Sequence, residues 1–185
     1  MLTAEEIATQ IDLGEIEWSG GLRGDSLLLH LGSPIQPLIA SSSGQVIDLA
    51  DQASIDALYG PPQHGWYSFD LAPGQIALCQ AQRPVRLGAG LAGAISTLSH
   101  LARVGLATHI TSPWVQPGWN GYLTFELSNV GPVALRLRRG MPVSRLAIFR
   151  MEGVAQPVPR HPFYGGSGQL GSRYANEFTP DGSWR

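Results

Sequence analysis

A chain of 185 residues suits a single domain with a sizeable core. Its 43% hydrophobic content against only 14% charged residues, well under the roughly 25% of globular chains, points to surface covered by other subunits. A formal net charge of -2 lacks the clustered Lys and Arg that release counterions from a polyanion, which excludes a non-specific nucleic-acid binder.

The single cysteine, Cys79, excludes an internal disulfide framework and a multi-cysteine zinc site, and it fits a reducing cytoplasm. Its flanks read as a strand, so a packed thiol is expected. No run approaches the roughly 20 apolar residues of a membrane helix, and residues 1–14 are polar and amphipathic where a signal peptide is continuously apolar. The expectation is a soluble, cytoplasmic protein with neither a membrane nor a nucleic-acid partner.

In chain order, Thr3 followed by Glu6 is a capping-box pattern, and Ile7, Ile11 and Leu13 recur at about helical spacing until Gly14. A short N-terminal helix is expected there. Gly24-Asp25-Ser26-Leu27 resembles the opening signature of the GDSL esterases, whose serine is the nucleophile. That chemistry also needs a late Asp-x-x-His pair, which the chain lacks, so residues 27–31 are read as a plain strand. Segments 45–49, 66–71, 75–80 and 84–87 are short, rich in strand formers and separated by Gly, Pro and Ser clusters, the pattern of a β-barrel or double-sheet jelly roll.

Gly88, Gly90 and Gly93 form a GxGxxG, but no acidic residue follows about 20 positions on, as a dinucleotide fold requires, so these glycines are read as close-packing positions. Ser96 is positioned to N-cap a helix over 97–104 that Gly105 ends. Ser99 and Arg103, four apart, then share one helical face and can address one ligand. Strands over 107–111, 121–127, 133–137 and 143–149 complete an all-β set, with Pro117-Gly118 as a turn. Residues 154–185, rich in Pro, Gly and Ser, read as a C-terminal arm or lid on a single domain spanning 1–185.

A zinc deaminase needs a His or Cys ligand near a Glu plus a Cys-x-x-Cys pair. One cysteine cannot supply it, and His30, His64, His100, His109 and His161 show no His-x-x-x-His spacing. No protein-bound metal or cofactor is expected. Chemistry must come from carboxylate, hydroxyl and guanidinium groups, which are densest in residues 96–126.

The run Ser99-His100-Leu101-Ala102-Arg103-Val104-Gly105-Leu106, then His109-Ile110-Thr111, Pro117-Gly118-Trp119-Asn120-Gly121, Glu126, Asn129 and Arg139-Gly140-Met141 resembles the dCTP deaminase branch of the deaminase and dUTPase superfamily. The likeness covers roughly 70–150 with unchanged spacing. It implies a homotrimer of distorted jelly-roll subunits of dUTPase-like type, with active sites at the interfaces and no zinc. It further implies that Glu126 is the general base for a water attacking C4 of cytosine, that Ser99 helps hold the water and that Arg103 fixes the site. A strand carboxylate sheltered from water is chemically suited to shuttle that proton. By the same resemblance Ser112 presents a backbone carbonyl to the water, Ile110, Thr111 and Trp119 line the base and sugar pocket, and Gln169 closes over the substrate.

The chain departs from the family pattern where substrate is recognised. Leu98 and Trp114 stand at arginine positions, His100 at a serine and Gln116 at an aspartate. Leucine and tryptophan carry no guanidinium fork for phosphate, so the expected pyrimidine nucleotide substrate has fewer phosphates than dCTP or a modified base, with Mg entering only alongside substrate phosphates. An amide at 116 cannot serve as the base for attack on phosphate, which argues against diphosphohydrolase chemistry. Two alternatives stay open: other hydrolytic chemistry on a pyrimidine nucleotide, and a non-catalytic nucleotide-binding trimer.

Overall fold

The computed structural model describes residues 1–39, 46–153 and 170–177. Helix α1 (Ala4–Asp12) begins with the expected capping box: the Glu6 N–H donates to Thr3 Oγ1, and the Thr3 N–H donates to Glu6 Oε2 at 2.8 Å. Ile7 is fully buried, and the Leu2 N–H donates to the carbonyl of Ile148 at 2.7 Å. The amphipathic helix therefore closes one end of the core. Asp25 accepts the Ala4 N–H at 2.8 Å, and buried Ser26 donates to the carbonyl of Arg23 at 2.7 Å. The esterase-like tetrapeptide thus anchors a helix and a turn.

Ten strands follow among the described residues: β1 (Ile16–Glu17), β2 (Leu27–Pro37), β3 (Ser68–Leu71), β4 (Ile76–Leu87), β5 (Leu91–Thr97), β6 (Leu106–Ala107), β7 (Trp114–Val115), β8 (Asn120–Asn129), β9 (Leu135–Arg138) and β10 (Pro142–Arg150). Two further short helices, α2 (Gln52–Asp56) and α3 (Ser99–Ala102), interrupt them. The main sheet is antiparallel in the order β6-β8-β4-β2-β10-β5-β7, with β1 on β4, while β3 and β9 form a separate ribbon. This is the expected mainly-β class.

The sheet must curl. Its seven-strand path would be about 29 Å wide if flat. The link from Ala107, on one edge strand, to Trp114, on the other, reaches about 25 Å at most when fully extended. The two edges therefore turn toward each other, and residues 108–113 cross the opening between them. Alternation along β8 buries Leu123, Phe125 and Leu127. The same period of two places Glu126 on the opposite face, half-buried.

Several boundaries differ from the sequence reading. The helix expected over 97–104 is only Ser99–Ala102, because Ser96 and Thr97 remain in β5, paired with Arg145 and Ser144 of β10. Leu98, with no capping side chain, takes the N-cap position that Ser96 was expected to hold. Segment 45–49 is not a strand where described; Asp51 instead caps α2 by accepting the Ala53 N–H at 3.0 Å. Segments 75–80 and 84–87 are one strand, β4, whose pairing with β8 is irregular between Gln80 and Pro84. Segment 107–111 keeps only Ala107 in β6, since beyond it the backbone is engaged by Glu126.

The glycine-rich 88–93 leads into strand β5, and a Cβ on Gly93 would come within 2.7 Å of Leu146 Cδ1. Gly88, against Glu15, is also a close-packing position, but Gly90 is not, since a Cβ there would meet nothing within 4 Å. Cys79 is buried, and desolvation pushes its thiol up to about 12, consistent with an inert packed side chain. Near the C-terminus, Leu170 is buried and the Ser172 N–H donates to the Tyr59 hydroxyl at 3.0 Å. Gln52 donates to the carbonyl of Ser172 at 2.8 Å, and Arg173 pairs with Asp56 at 3.3 Å. Residues 170–177 are thus docked on α2, beside a cavity of about 260 Å³ lined in part by Gln36, Tyr59 and Pro62.

Candidate active site

The centre of the site is the crossing segment 108–113 laid against β8. The Glu126 N–H donates to the carbonyl of Thr108 at 3.1 Å, and the Ile110 N–H donates to Glu126 Oε2 at 2.8 Å. One residue therefore grips the segment twice, by backbone and by carboxylate. A carboxylate with one oxygen fixed by an amide is oriented in advance, and its other oxygen remains available to a ligand or a water. Ile110, Thr111 and Ser112 are exposed, and the Pro113 carbonyl accepts the Ile95 N–H at 2.8 Å, which ties the far end of the segment to β5.

Trp119 is half-buried against the core, and its Nε1–H donates to the carbonyl of Gly121 at 3.1 Å. The carbonyl of Gln116 accepts the Trp119 N–H at 3.2 Å, closing the Pro117-Gly118 turn, and leaves the Gln116 side chain exposed. The turn was legible in the sequence.

Helix α3 carries Ser99 and His100, with Arg103 at its C-cap. All three are exposed, and the Ser99 and Arg103 side chains have no hydrogen-bond partner among the described residues. The structure thus joins Glu126 to Ile110 but makes no hydrogen bond from α3 to Glu126 within one chain. Gln169 lies outside the described residues; its neighbour Leu170 is buried.

Leu98 is 9% exposed, and Trp114 leans on Phe149 with ring centroids 6.3 Å apart. Leu98 is a packing residue, whereas Trp114 keeps 45% of its surface exposed. Among the described residues no three His, Cys, Asp or Glu side chains converge as a metal cage would require. No helix of the described residues is long and apolar enough to cross a membrane.

The sequence reading missed a hydroxyl cluster behind the crossing segment. Thr97 Oγ1 and Thr108 Oγ1 are 2.8 Å apart, Thr108 Oγ1 and Ser144 Oγ are 2.5 Å apart, and the Thr108 N–H also donates to Thr97 Oγ1 at 3.0 Å. Thr108 and Ser144 are fully buried. The sequence carried no signal for it, since Thr97 was expected to open a helix and Thr108 and Ser144 to lie in separate strands. Asn129 was noted only as part of a motif, yet it is fully buried. It donates to the carbonyls of Leu71 and Val133 at 2.9 and 2.8 Å and accepts the Gly131 N–H at 3.0 Å.

Comparison with known proteins bears on this arrangement. The profile of the dCTP deaminase-like family matches residues 1–151. The chain is 39% identical over 119 residues to "dCTP deaminase, dUMP-forming" of Acidothermus cellulolyticus, covering 63% of this chain and 59% of that one. It is 36% identical over 158 residues to the protein of the same name from Salinispora arenicola, covering 84% of this chain and 72% of that one. The chain spans only 59% and 56% of the Acidothermus cellulolyticus and Corynebacterium glutamicum relatives it matches. Among solved structures, the 2'-deoxycytidine 5'-triphosphate deaminase of Agrobacterium tumefaciens superposes with a TM-score of 0.60 at 19% identity, over 80% of this chain and 47% of that one, a likeness of fold. The resemblance read from the spaced motifs is borne out: the chain belongs to the dCTP deaminase-like family.

Proposed function

We propose that this protein catalyses the zinc-independent hydrolytic deamination of a cytosine (deoxy)nucleotide, with Glu126 as general base. The observation that carries the reading is the Glu126 carboxylate, half-buried beside the crossing segment with Oε2 held by the Ile110 N–H at 2.8 Å, within the residues the family profile matches. Glu126 Oε1 takes a proton from water as the water oxygen bonds C4 of cytosine. That proton passes to the departing amino group, the C4–N bond breaks, and ammonia leaves. The remaining C4 hydroxyl proton ends on N3, giving uracil.

In this scheme Ser99 and the Ser112 carbonyl hold the water, and Arg103 fixes the arrangement. Ile110, Thr111 and Trp119 line the pocket, His100 and Gln116 border it, and Gln169 closes it. Exposure of Ser99 and Arg103 without partners among the described residues supports a site completed between subunits of a homotrimer. Relatives named dCTP deaminase support the base. The apolar side chains of Leu98 and Trp114, which offer no charge to a phosphate, support a substrate with fewer phosphates than dCTP, with Mg bound only through those phosphates. Gln116 offers no carboxylate, so the product keeps the phosphates of its substrate, unlike that of relatives named dUMP-forming.

The test is a panel of cytosine nucleosides and their mono-, di- and triphosphates, following ammonia release and product mass for wild type and Glu126→Gln. Release of ammonia with the phosphate count unchanged, lost in the variant, is expected. Deamination that survives the substitution removes Glu126 from the mechanism, and a product stripped of diphosphate overturns the assignment at Gln116.

A further inference from the structure

Glu126 is gripped by the crossing segment, but the segment itself needs a fixed position relative to α3, which carries Ser99 and Arg103. Thr108 is the residue that touches both sides. Its carbonyl accepts the Glu126 N–H at 3.1 Å, while its own N–H and hydroxyl both meet Thr97 Oγ1, at 3.0 and 2.8 Å. Thr97 is the last residue of β5, two before Ser99. The Thr108 hydroxyl also meets Ser144 Oγ at 2.5 Å, and Ser144 is the residue paired with Thr97 across β5 and β10.

The three hydroxyls therefore join the β8 side of the curled sheet to its β5–β10 side at the point where the sheet does not close by strand pairing. A hydroxyl with no exposure is retained at a cost unless it is bonded, and a bonded buried network fixes one geometry where an apolar contact of the same volume tolerates several. Hydrophobic packing alone would hold these edges near one another. It would not fix the register between Ser99 and Glu126.

We infer that Thr108 is a positioning residue of the deaminase site, clasped by Thr97 and Ser144, and that its hydroxyl sets where the Ile110 N–H and the Glu126 carboxylate lie relative to α3. The inference rests on Glu126 as the base, so the experiment carries one readout that does not depend on turnover. Thr108→Val removes the hydroxyl and keeps the shape, Thr108→Ser keeps the hydroxyl, and Ser144→Ala removes only the far end of the clasp. Each is made in the full chain and compared with wild type by residue-resolved amide hydrogen exchange and by steady-state kinetics on the best substrate of the panel.

In Thr108→Val the Ile110 amide is expected to exchange about fivefold faster or more, with Phe125 and Leu127 unchanged. Its kcat should fall roughly tenfold with KM nearly constant, because a small misplacement of a catalytic group is felt in the transition state. Thr108→Ser restores both. Ser144→Ala gives a smaller change in the same direction, and it decides the matter if the valine variant does not fold. An unchanged Ile110 amide in the folded hydroxyl-deleted protein overturns the inference, as does loss of protection spread evenly over β5 and β8. If Glu126→Gln retains turnover while Thr108→Val still frees the Ile110 amide, the base assignment fails and the clasp stands.

Discussion

Two halves of the candidate site are built in opposite ways. Around Glu126 the polar groups are linked in series: the carboxylate holds the Ile110 N–H, Thr108 holds Glu126, and Thr97 and Ser144 hold Thr108, while the buried His109 Nδ1 of the same segment has no hydrogen-bond partner among the described residues. On α3, four residues long and without a side-chain cap, Ser99, His100 and Arg103 stand exposed. The difference teaches which half the monomer prepares by itself. A general base must be oriented before substrate arrives, since reorganisation at the moment of reaction adds to the barrier. Groups that meet a neighbouring subunit or a ligand gain their order from that contact, and their exposure in one chain is the expected starting condition.

The comparison breaks first at Glu126. Glu126→Gln keeps the shape and can still accept the Ile110 N–H, so the fold is expected to survive with a melting temperature close to wild type. Turnover should fall by about 10²- to 10⁴-fold, the range lost when a positioned proton acceptor is removed. A large loss of stability with proportionate loss of activity would show the carboxylate to be a structural clamp only. Asn129→Ala tests how far the prepared half extends. Asn129 is fully buried and braces the end of β8 to Leu71, Val133 and Gly131, and its truncation removes a hydrogen bond from each of two carbonyls and an amide. Chemical denaturation should report a loss of about 2–4 kcal/mol, and a value near zero would show that the brace is replaceable.

How much of this was legible in the sequence follows from the range of the forces involved. The capping box at Thr3 and Glu6, the turn at Pro117-Gly118 and the alternation that turns Glu126 away from Phe125 and Leu127 are local, and each was readable. The extent of α3 was not, because Ser96 and Thr97 have acceptable helix-capping chemistry and are held in β5 by pairing with β10, more than forty residues later. The same holds for segment 45–49, whose apolar residues resembled a strand but lead into α2, capped by Asp51 and packed against residues 170–177. At the site, spaced motifs singled out Glu126, Ser99 and Arg103 as candidates. They could not reveal the clasp, since Thr97, Thr108 and Ser144 fall in three separate segments and each, alone, is an ordinary hydroxyl.

Gly105 sharpens the comparison from the α3 side. It leaves the helix with φ at +91°, and a Cβ there would lie 2.5 Å from the Gly131 backbone nitrogen. Both the left-handed conformation and the close approach exclude a side chain. Gly105→Ala is expected to lower stability by about 1–3 kcal/mol. Because Val130 donates its N–H to the Gly105 carbonyl at 2.8 Å, the damage should also reach the end of β8, seen as faster amide exchange at Val130. If exchange at the Ile110 amide stayed at the wild-type rate, the two halves would be mechanically separate.

The smallest effect expected is on the stability of Arg103→Ala. An exposed arginine without a partner among the described residues contributes little to the fold of one chain, and its removal should change unfolding free energy by no more than about 0.5 kcal/mol. Turnover, in contrast, should fall strongly if Arg103 organises the proposed site between subunits. Loss of stability that grows with dilution would show Arg103 to be an assembly contact, since anything that binds only the folded chain stabilises it by mass action. A loss independent of protein concentration would overturn the view of α3 as the unprepared half, because the side chain would then be holding the single chain together.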